Sequence, residues 1–202
     1  MPRPRDLAQR ISRYQPILVD GEDRVRAAVA VVLRGQDDQA EVLFIERASR
    51  TGDPWSGHMA FPGGRLDPSD ASTREAAERE TLEEVGVGLA GGSYLGRLDD
   101  LEGRPERNDR MVVSAYVYHM ADPEPLRLNH EVREAFWFPV SELLASERHV
   151  TYPHATYGGK QLPGILVGVP GRHIVWGLTY RFVDVLLSAV GTPLPNKWMD
   201  LR

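Results

Sequence analysis

Glu80, Glu83 and Glu84 stand at i, i+3 and i+4. On a helix that spacing puts three carboxylates on one face, with Cβ atoms roughly 5–6 Å apart. Like charges so placed repel, and a helix built for stability alone would separate them or interleave lysines. The arrangement makes sense if something strongly positive lies against that face. A hard divalent cation such as Mg²⁺ takes oxygen ligands and needs few protein carboxylates when phosphates supply the rest. The plain alternative is a solvated helix face, which is the better reading of an isolated E-x-x-E-E.

The elements that must position these acids follow from the apolar pattern. Ser72 or Thr73 can cap a helix that carries Glu75 in its first turn and stops at Gly86. Within it Ala76, Ala77, Thr81 and Leu82 are helix-forming or core-facing. Ahead of it, Pro62-Gly63-Gly64 is a breaker cluster where the backbone turns sharply. Residues 25–33 form a continuous apolar run, as a buried strand requires, and 42–45 form a second strand. Residues 47–57 read as a polar loop. Further strands are expected near 94–98, 111–118, 135–138 and 165–169, with a short helix from Pro139. Leu7, Ile11 and Tyr14 recur at helical spacing, giving a short amphipathic helix over 5–14. A long amphipathic helix is expected from Trp176 to Val190, with Leu178, Phe182, Val185, Leu186 and Val190 inward and Trp176 in the core. Strands and helices alternate without a strict βαβ rhythm, which points to an α/β fold with a mixed sheet covered by helices on both faces.

Composition narrows the function classes. At 202 residues the chain suits one domain. A net charge of −5 leaves no basic footprint for nucleic acid or an anionic membrane surface. The sequence has no cysteine, which excludes disulfides, thiolate zinc sites and cysteine nucleophiles. No apolar run approaches the ~18 residues of a membrane span, and the N-terminal residues lack the apolar core of a signal peptide. A cytoplasmic location is expected.

Residues 64–87 resemble the Nudix box, G-x5-E-x7-R-E-U-x-E-E-x-G-U, where U is bulky and apolar. Arg79, Glu80, Glu83, Glu84, Gly86 and Val87 match its second half. The first half departs: Asp70 stands where Glu is usual, eight residues rather than seven precede Arg79, and Thr81 replaces an apolar residue. Upstream, Gly57, Phe61, Pro62, Gly63 and Gly64 fit the G-x3-F-P-G-G of the coenzyme A pyrophosphatase branch, as does Arg47. Segments 129–144 and 174–187 resemble the same branch. The Leu that usually follows the arginine is missing, and Trp55 stands where a His is expected.

The resemblance implies a single Nudix-type α/β/α sandwich over 1–202, with an N-terminal extension at 1–20, the box at 64–87 and a C-terminal helix at 174–190. It implies hydrolysis of a diphosphate in a nucleoside diphosphate linked to another moiety, with Mg²⁺ or Mn²⁺. Coenzyme A or a derivative would yield 3′,5′-ADP and 4′-phosphopantetheine. ADP-ribose, a dinucleotide or a nucleotide sugar is the alternative substrate, and a non-catalytic nucleotide-binding module the alternative class. Homodimers are common in the superfamily, and no nucleic-acid or membrane partner is implied.

Carried onto this chain, the resemblance makes Glu80 and Glu84 the main metal ligands, Glu83 a third ligand or the group that orients water, and the Gly63 carbonyl a further ligand. It sets Arg79 to hold the carboxylates in register. Joined to Gly63-Gly64, Arg79 and Gly86, the acidic face favours the metal reading. Glu131 is the candidate for a carboxylate from a second loop, against a plain exposed acid, and Glu134 is a weaker competitor. Arg47, Arg50, Phe61 and Gly64 fall on the substrate side, where a guanidinium suits phosphate. Trp55 either stacks on a base or anchors its loop. His58 reads as structural. The arginines of 104–110 read as a charged loop, and Tyr152, Tyr157 and Gly158-Gly159 as a weak candidate for a lid.

Overall fold

The computed structural model describes residues 4–21, 23–35, 39–52, 55–103, 111–153 and 161–195. Helix α1 spans Pro4–Arg13, followed by strands β1 (Arg26–Arg34), β2 (Glu41–Arg47), β3 (Met59–Ala60) and β4 (Gly63–Arg65). Helix α2 (Thr73–Val85) leads to β5 (Ser93–Arg97), β6 (Leu101–Glu102), β7 (Val112–Met120) and β8 (Val132–Pro139). Strands β9 (His149–Pro153), β10 (Gln161–Leu166) and β11 (Ile174–Val175) precede helix α3 (Gly177–Ala189).

The main sheet runs β3-β2-β1-β7-β5, with β4 also on β1, β6 on β7 and β8 on β2. It is mixed: β1 and β7 are parallel, in register from Arg26↔Val112 to Arg34↔Met120, and the other pairings are antiparallel. Both faces are buried, which explains the unbroken apolar run of β1. Ala28, Ala30 and Val32 of β1, with Leu43 and Ile45 of β2, pack toward Ala76, Ala77 and Val85 of α2. The alternate residues Ala27, Val31 and Leu33, with Val42 and Phe44, pack toward Tyr180, Phe182, Val183, Leu186 and Leu187 of α3. Opposite parity along β2 therefore decides which layer a side chain joins. Glu46 falls with the α3 layer and Arg47 with the α2 layer.

The fold corrects several expectations. The C-terminal helix does not begin at 174: Ile174 and Val175 pair with β10, and Trp176 is the extended N-cap residue of α3. Trp176 is nonetheless core, stacked on Tyr152 at 4.5 Å. The strand expected over 165–169 ends at Leu166, and Val169 is exposed in the turn beyond. Residues 149–153 and 161–166 form a small antiparallel sheet with β11 that the apolar pattern did not signal. In α2, Leu82 is exposed, because the buried stripe runs through Ala77, Thr81, Glu84 and Val85. The Thr81 hydroxyl is satisfied inside that stripe by donating to the Ala77 carbonyl at 2.7 Å. The helix after Pro139 is a 3₁₀ segment, Val140–Leu144.

Candidate active site

Local rules set the position of α2. The Ser72 hydroxyl caps it by accepting the Glu75 amide at 3.2 Å, and the Glu75 carboxylate accepts the Ala71 amide in return. Gly86 ends the helix at φ 73°, a left-handed conformation that suits glycine. Gly86 also admits a neighbour: a Cβ there would come within 3.0 Å of the Arg127 Cβ.

The three acids on this helix face very different surroundings. The Glu83 side chain is 54% exposed, Glu80 is 16% exposed and Glu84 is 1% exposed. Glu80 lies against Gly64, where any Cβ would overlap its carboxylate. The Gly63 amide donates to Glu84 Oε2 at 2.8 Å. Arg79 grips the group from the side. Its Nη1 donates to Glu80 at 3.0 Å and Glu83 at 3.3 Å, while Nε and Nη2 each meet an Asp70 oxygen at 2.9 Å. Asp70 thus supplies the paired carboxylate despite its shorter side chain and the one-residue expansion. The departure in the first half of the motif is accommodated where the loop meets Arg79.

The electrostatics mark Glu84 as the anomalous member. Burial pushes its carboxyl up to about 8, with Glu80 and Glu131 adding to the shift, while the Gly63 amide and Arg47 act against it. Burial also raises Glu80, opposed by Arg79 and reinforced by Glu83 and Glu131. Glu84 Oε1 is buried and accepts no hydrogen bond among the described residues, and Arg47 Nη1 stands 4.0 Å from it. A buried carboxylate oxygen so placed is costly without a cation or proton. Hard carboxylate oxygens beside a backbone turn fit a divalent metal. Glu80 and Glu84 are the residues that would hold it.

Residues 127–131 fasten a second carboxylate to this helix. The Arg127 amide donates to the Val85 carbonyl at 2.8 Å, and the Asn129 amide to the Glu84 carbonyl at 3.1 Å. The Asn129 side chain accepts the Glu131 amide at 2.8 Å, and the Glu131 carbonyl accepts the Ala48 amide at 2.8 Å. Glu131 Oε1 meets Arg50 Nη2 at 2.8 Å. The structure therefore brings Glu131, Arg50 and Arg47 to the edge of the acidic face. Arg50 is tied further by Ser56, whose hydroxyl bridges its amide and carbonyl.

Glu134 belongs to the opposite face. It pairs with Arg172 at 2.8 Å, and Arg172 also spans both oxygens of buried Glu46 from β2. Glu46, Glu134 and His173 bring carboxylate and imidazole atoms within 4.8 Å of one another, a spacing a cation could use. Two observations oppose that. Arg172 and Arg133 already neutralise Glu46: burial raises its pKa, but the Arg172 hydrogen bond and charge bring it below the ordinary value. The His173 Nδ1 accepts the Val169 amide at 3.1 Å, so in the neutral ring Nε2 carries the proton and has no lone pair to offer. Nothing in the local sequence signalled this cluster, since Glu46 and Arg172 are 126 residues apart.

Other expected site residues fall elsewhere. Phe61 is 2% exposed and stacks on Phe44 at 5.2 Å, so it is a core residue facing the α3 layer, not a substrate contact. Trp55 packs against the same core, which favours its role as a loop anchor. His58 meets the edge of Trp176 at 4.8 Å, in keeping with a structural role. Gly64 makes room for Glu80, and Gly63 meets Glu84 through its amide. The arginines of 104–110, and Tyr157 with Gly158-Gly159, lie outside the described residues.

A NUDIX domain family model matches residues 24–156, and the chain belongs to the Nudix hydrolase family. It is therefore a hydrolase of pyrophosphate bonds. It is 34% identical to the human mitochondrial coenzyme A diphosphatase NUDT8 over 192 residues, covering 91% of this chain and 80% of that protein. It is 33% identical to the uncharacterized protein C14C4.10c of Schizosaccharomyces pombe over 160 residues, but that alignment covers 69% of this chain and 49% of the yeast protein. The chain thus spans about half the length of that relative. A MutT/nudix family protein from Enterococcus faecalis shares the fold, with a TM-score of 0.54 over 93% of this chain and 74% of that one, at 21% identity. Among the described residues no helix is long and apolar enough to cross a membrane.

Proposed function

We propose that this single-domain hydrolase cleaves the diphosphate of coenzyme A or its derivatives, releasing 3′,5′-ADP and 4′-phosphopantetheine, with Mg²⁺ or Mn²⁺ held by Glu80 and Glu84. Water adds to one phosphorus, the bridging P–O bond breaks, and each product keeps one phosphate of the diphosphate, so that 3′,5′-ADP also retains its 3′-phosphate. The observation that carries the metal assignment is the buried, unbonded Oε1 of Glu84 beside Glu80 and the Gly63 amide. The bound cation supplies charge neutralisation at the diphosphate and activates the attacking water. Every other task falls to the chain. Arg79 and Gly64 hold Glu80 in place, and Gly63 does the same for Glu84. Glu83, the exposed member, orients water or completes the ligand set. Arg47 and Arg50 meet the diphosphate oxygens, with Arg50 exchanging its hold on Glu131 for one on phosphate. Glu131 serves as a further ligand or as the base.

The coenzyme A assignment is supported by Arg47, the G-x3-F-P-G-G segment and the alignment with the human diphosphatase. A cytoplasmic location is part of this reading and is supported by the cysteine-free composition. The test is incubation of the purified protein with coenzyme A, ADP-ribose, a diadenosine polyphosphate and a nucleotide sugar, each with Mn²⁺. Coenzyme A should be consumed fastest. Preferential hydrolysis of another member of the panel would replace it as the substrate.

A further inference from the structure

We propose that Asn129 is a positioning residue that holds the Glu131 carboxylate in register with Glu84. The inference rests on reading Glu80, Glu84 and Glu131 as one cation site. Asn129 reaches both halves of that site. Its backbone amide donates to the Glu84 carbonyl at 3.1 Å. Its side-chain oxygen accepts the Glu131 amide at 2.8 Å, closing a local turn of the kind asparagine favours. The first bond anchors the loop to the end of α2, where the last carbonyls have no partner within the helix. The second fixes the backbone from which Glu131 projects. Two supporting bonds flank this link, from the Arg127 amide to Val85 and from the Ala48 amide to the Glu131 carbonyl. Neither uses a side chain. The Asn129 side chain is therefore the replaceable part of the strap. Without it the loop keeps its anchors but loses the bond that orients Glu131.

This placement matters because Glu131 and the two α2 acids Glu80 and Glu84 carry like charge and repel one another. Three carboxylates converging without a cation push apart, and the strap resists that. The energy spent in folding keeps the donor set assembled for a cation, as hydrogen bonds behind a metal ligand commonly do.

The test measures Mn²⁺ binding to the full chain, by loss of the free Mn²⁺ paramagnetic resonance signal, together with diphosphate turnover. Asn129→Ala should weaken Mn²⁺ binding on the order of tenfold and lower kcat in parallel. Asn129→Ser keeps an accepting oxygen without adding charge and should recover much of the loss. In a Glu131→Gln background, Asn129→Ala should add little further effect, because the group it positions has already been changed. Unchanged Mn²⁺ binding and turnover in Asn129→Ala would overturn the proposal. So would an equal loss with and without Glu131→Gln, or a loss in melting temperature with activity per folded molecule intact. If Glu131→Gln alone leaves Mn²⁺ binding and turnover unchanged, the reading of Glu131 as part of the site fails first, separately from the role of Asn129.

Discussion

Arg79 and Asp70 form a two-pronged pair, Nε to Oδ1 and Nη2 to Oδ2, both at 2.9 Å. The planar fork leaves Nη1 for Glu80 and Glu83, so one guanidinium spans three acids. Asp70→Ala should lower stability by about 1–3 kcal/mol, the usual loss for a charge-assisted bond whose partner is left behind. Arg79→Lys should reduce turnover more than it reduces stability, because an ammonium cannot keep the fork. Thermal melts and steady-state rates of the two variants check this.

Glu84 makes the metal-free protein sensitive to pH in a defined direction. Its carboxyl lies at about 8 in the fold against an ordinary 4.5. Its stabilising effect is thus fully present below about 4.5 and lost as pH rises through about 8. Chelated protein should melt at progressively lower temperature across that window. Saturating Mn²⁺ should offset the fall, since the cation takes over from the proton. In Glu84→Gln the slope over this range should largely disappear, and melts with and without chelator at several pH values measure it.

Gly64→Ala should cost activity, because the added methyl occupies the space of the Glu80 carboxylate. Gly88→Ala is a suitable control, with nothing within 4 Å of a Cβ built there. The expected result is a loss of turnover and of Mn²⁺ affinity in Gly64→Ala and near-parent behaviour in Gly88→Ala. Equal activity in the two would show that Glu80 tolerates displacement.

Arg172→Met should destabilise the fold while leaving the intrinsic Mn²⁺ affinity of the folded protein unchanged. It leaves Glu46, 1% exposed, without its main partner on the α3 side of the sheet. A fall in melting temperature with an unaltered Mn²⁺ titration would separate this ion-pair cluster from the acidic face of α2. A large fall in Mn²⁺ affinity would instead mean that the cluster takes part in metal binding.

The acidic face was legible because it is local: Glu80, Glu83 and Glu84 lie within one helical turn and a glycine stop follows. The flanking Ser72 cap and the buried run of β1 were legible for the same reason. What escaped depends on which layer a strand residue faces or on partners far apart in the chain. Parity along β8 sends Glu134 toward Arg172, and the fixed turn at Asn129 carries Glu131 to Arg50. Phe61 precedes the glycines of the site yet turns into the core against Phe44. The C-terminal helix read from the apolar pattern starts one residue before α3, whereas the start at 174 that the resemblance implies takes in strand β11.

Hydrolysis of coenzyme A by purified protein with Mn²⁺ tests the assignment most directly. Chromatography should show 3′,5′-ADP and 4′-phosphopantetheine appearing in equal amounts. Glu84→Gln should reduce that rate by orders of magnitude while keeping a cooperative thermal melt. Absence of 3′,5′-ADP from the parent protein, or undiminished turnover in Glu84→Gln, would contradict it.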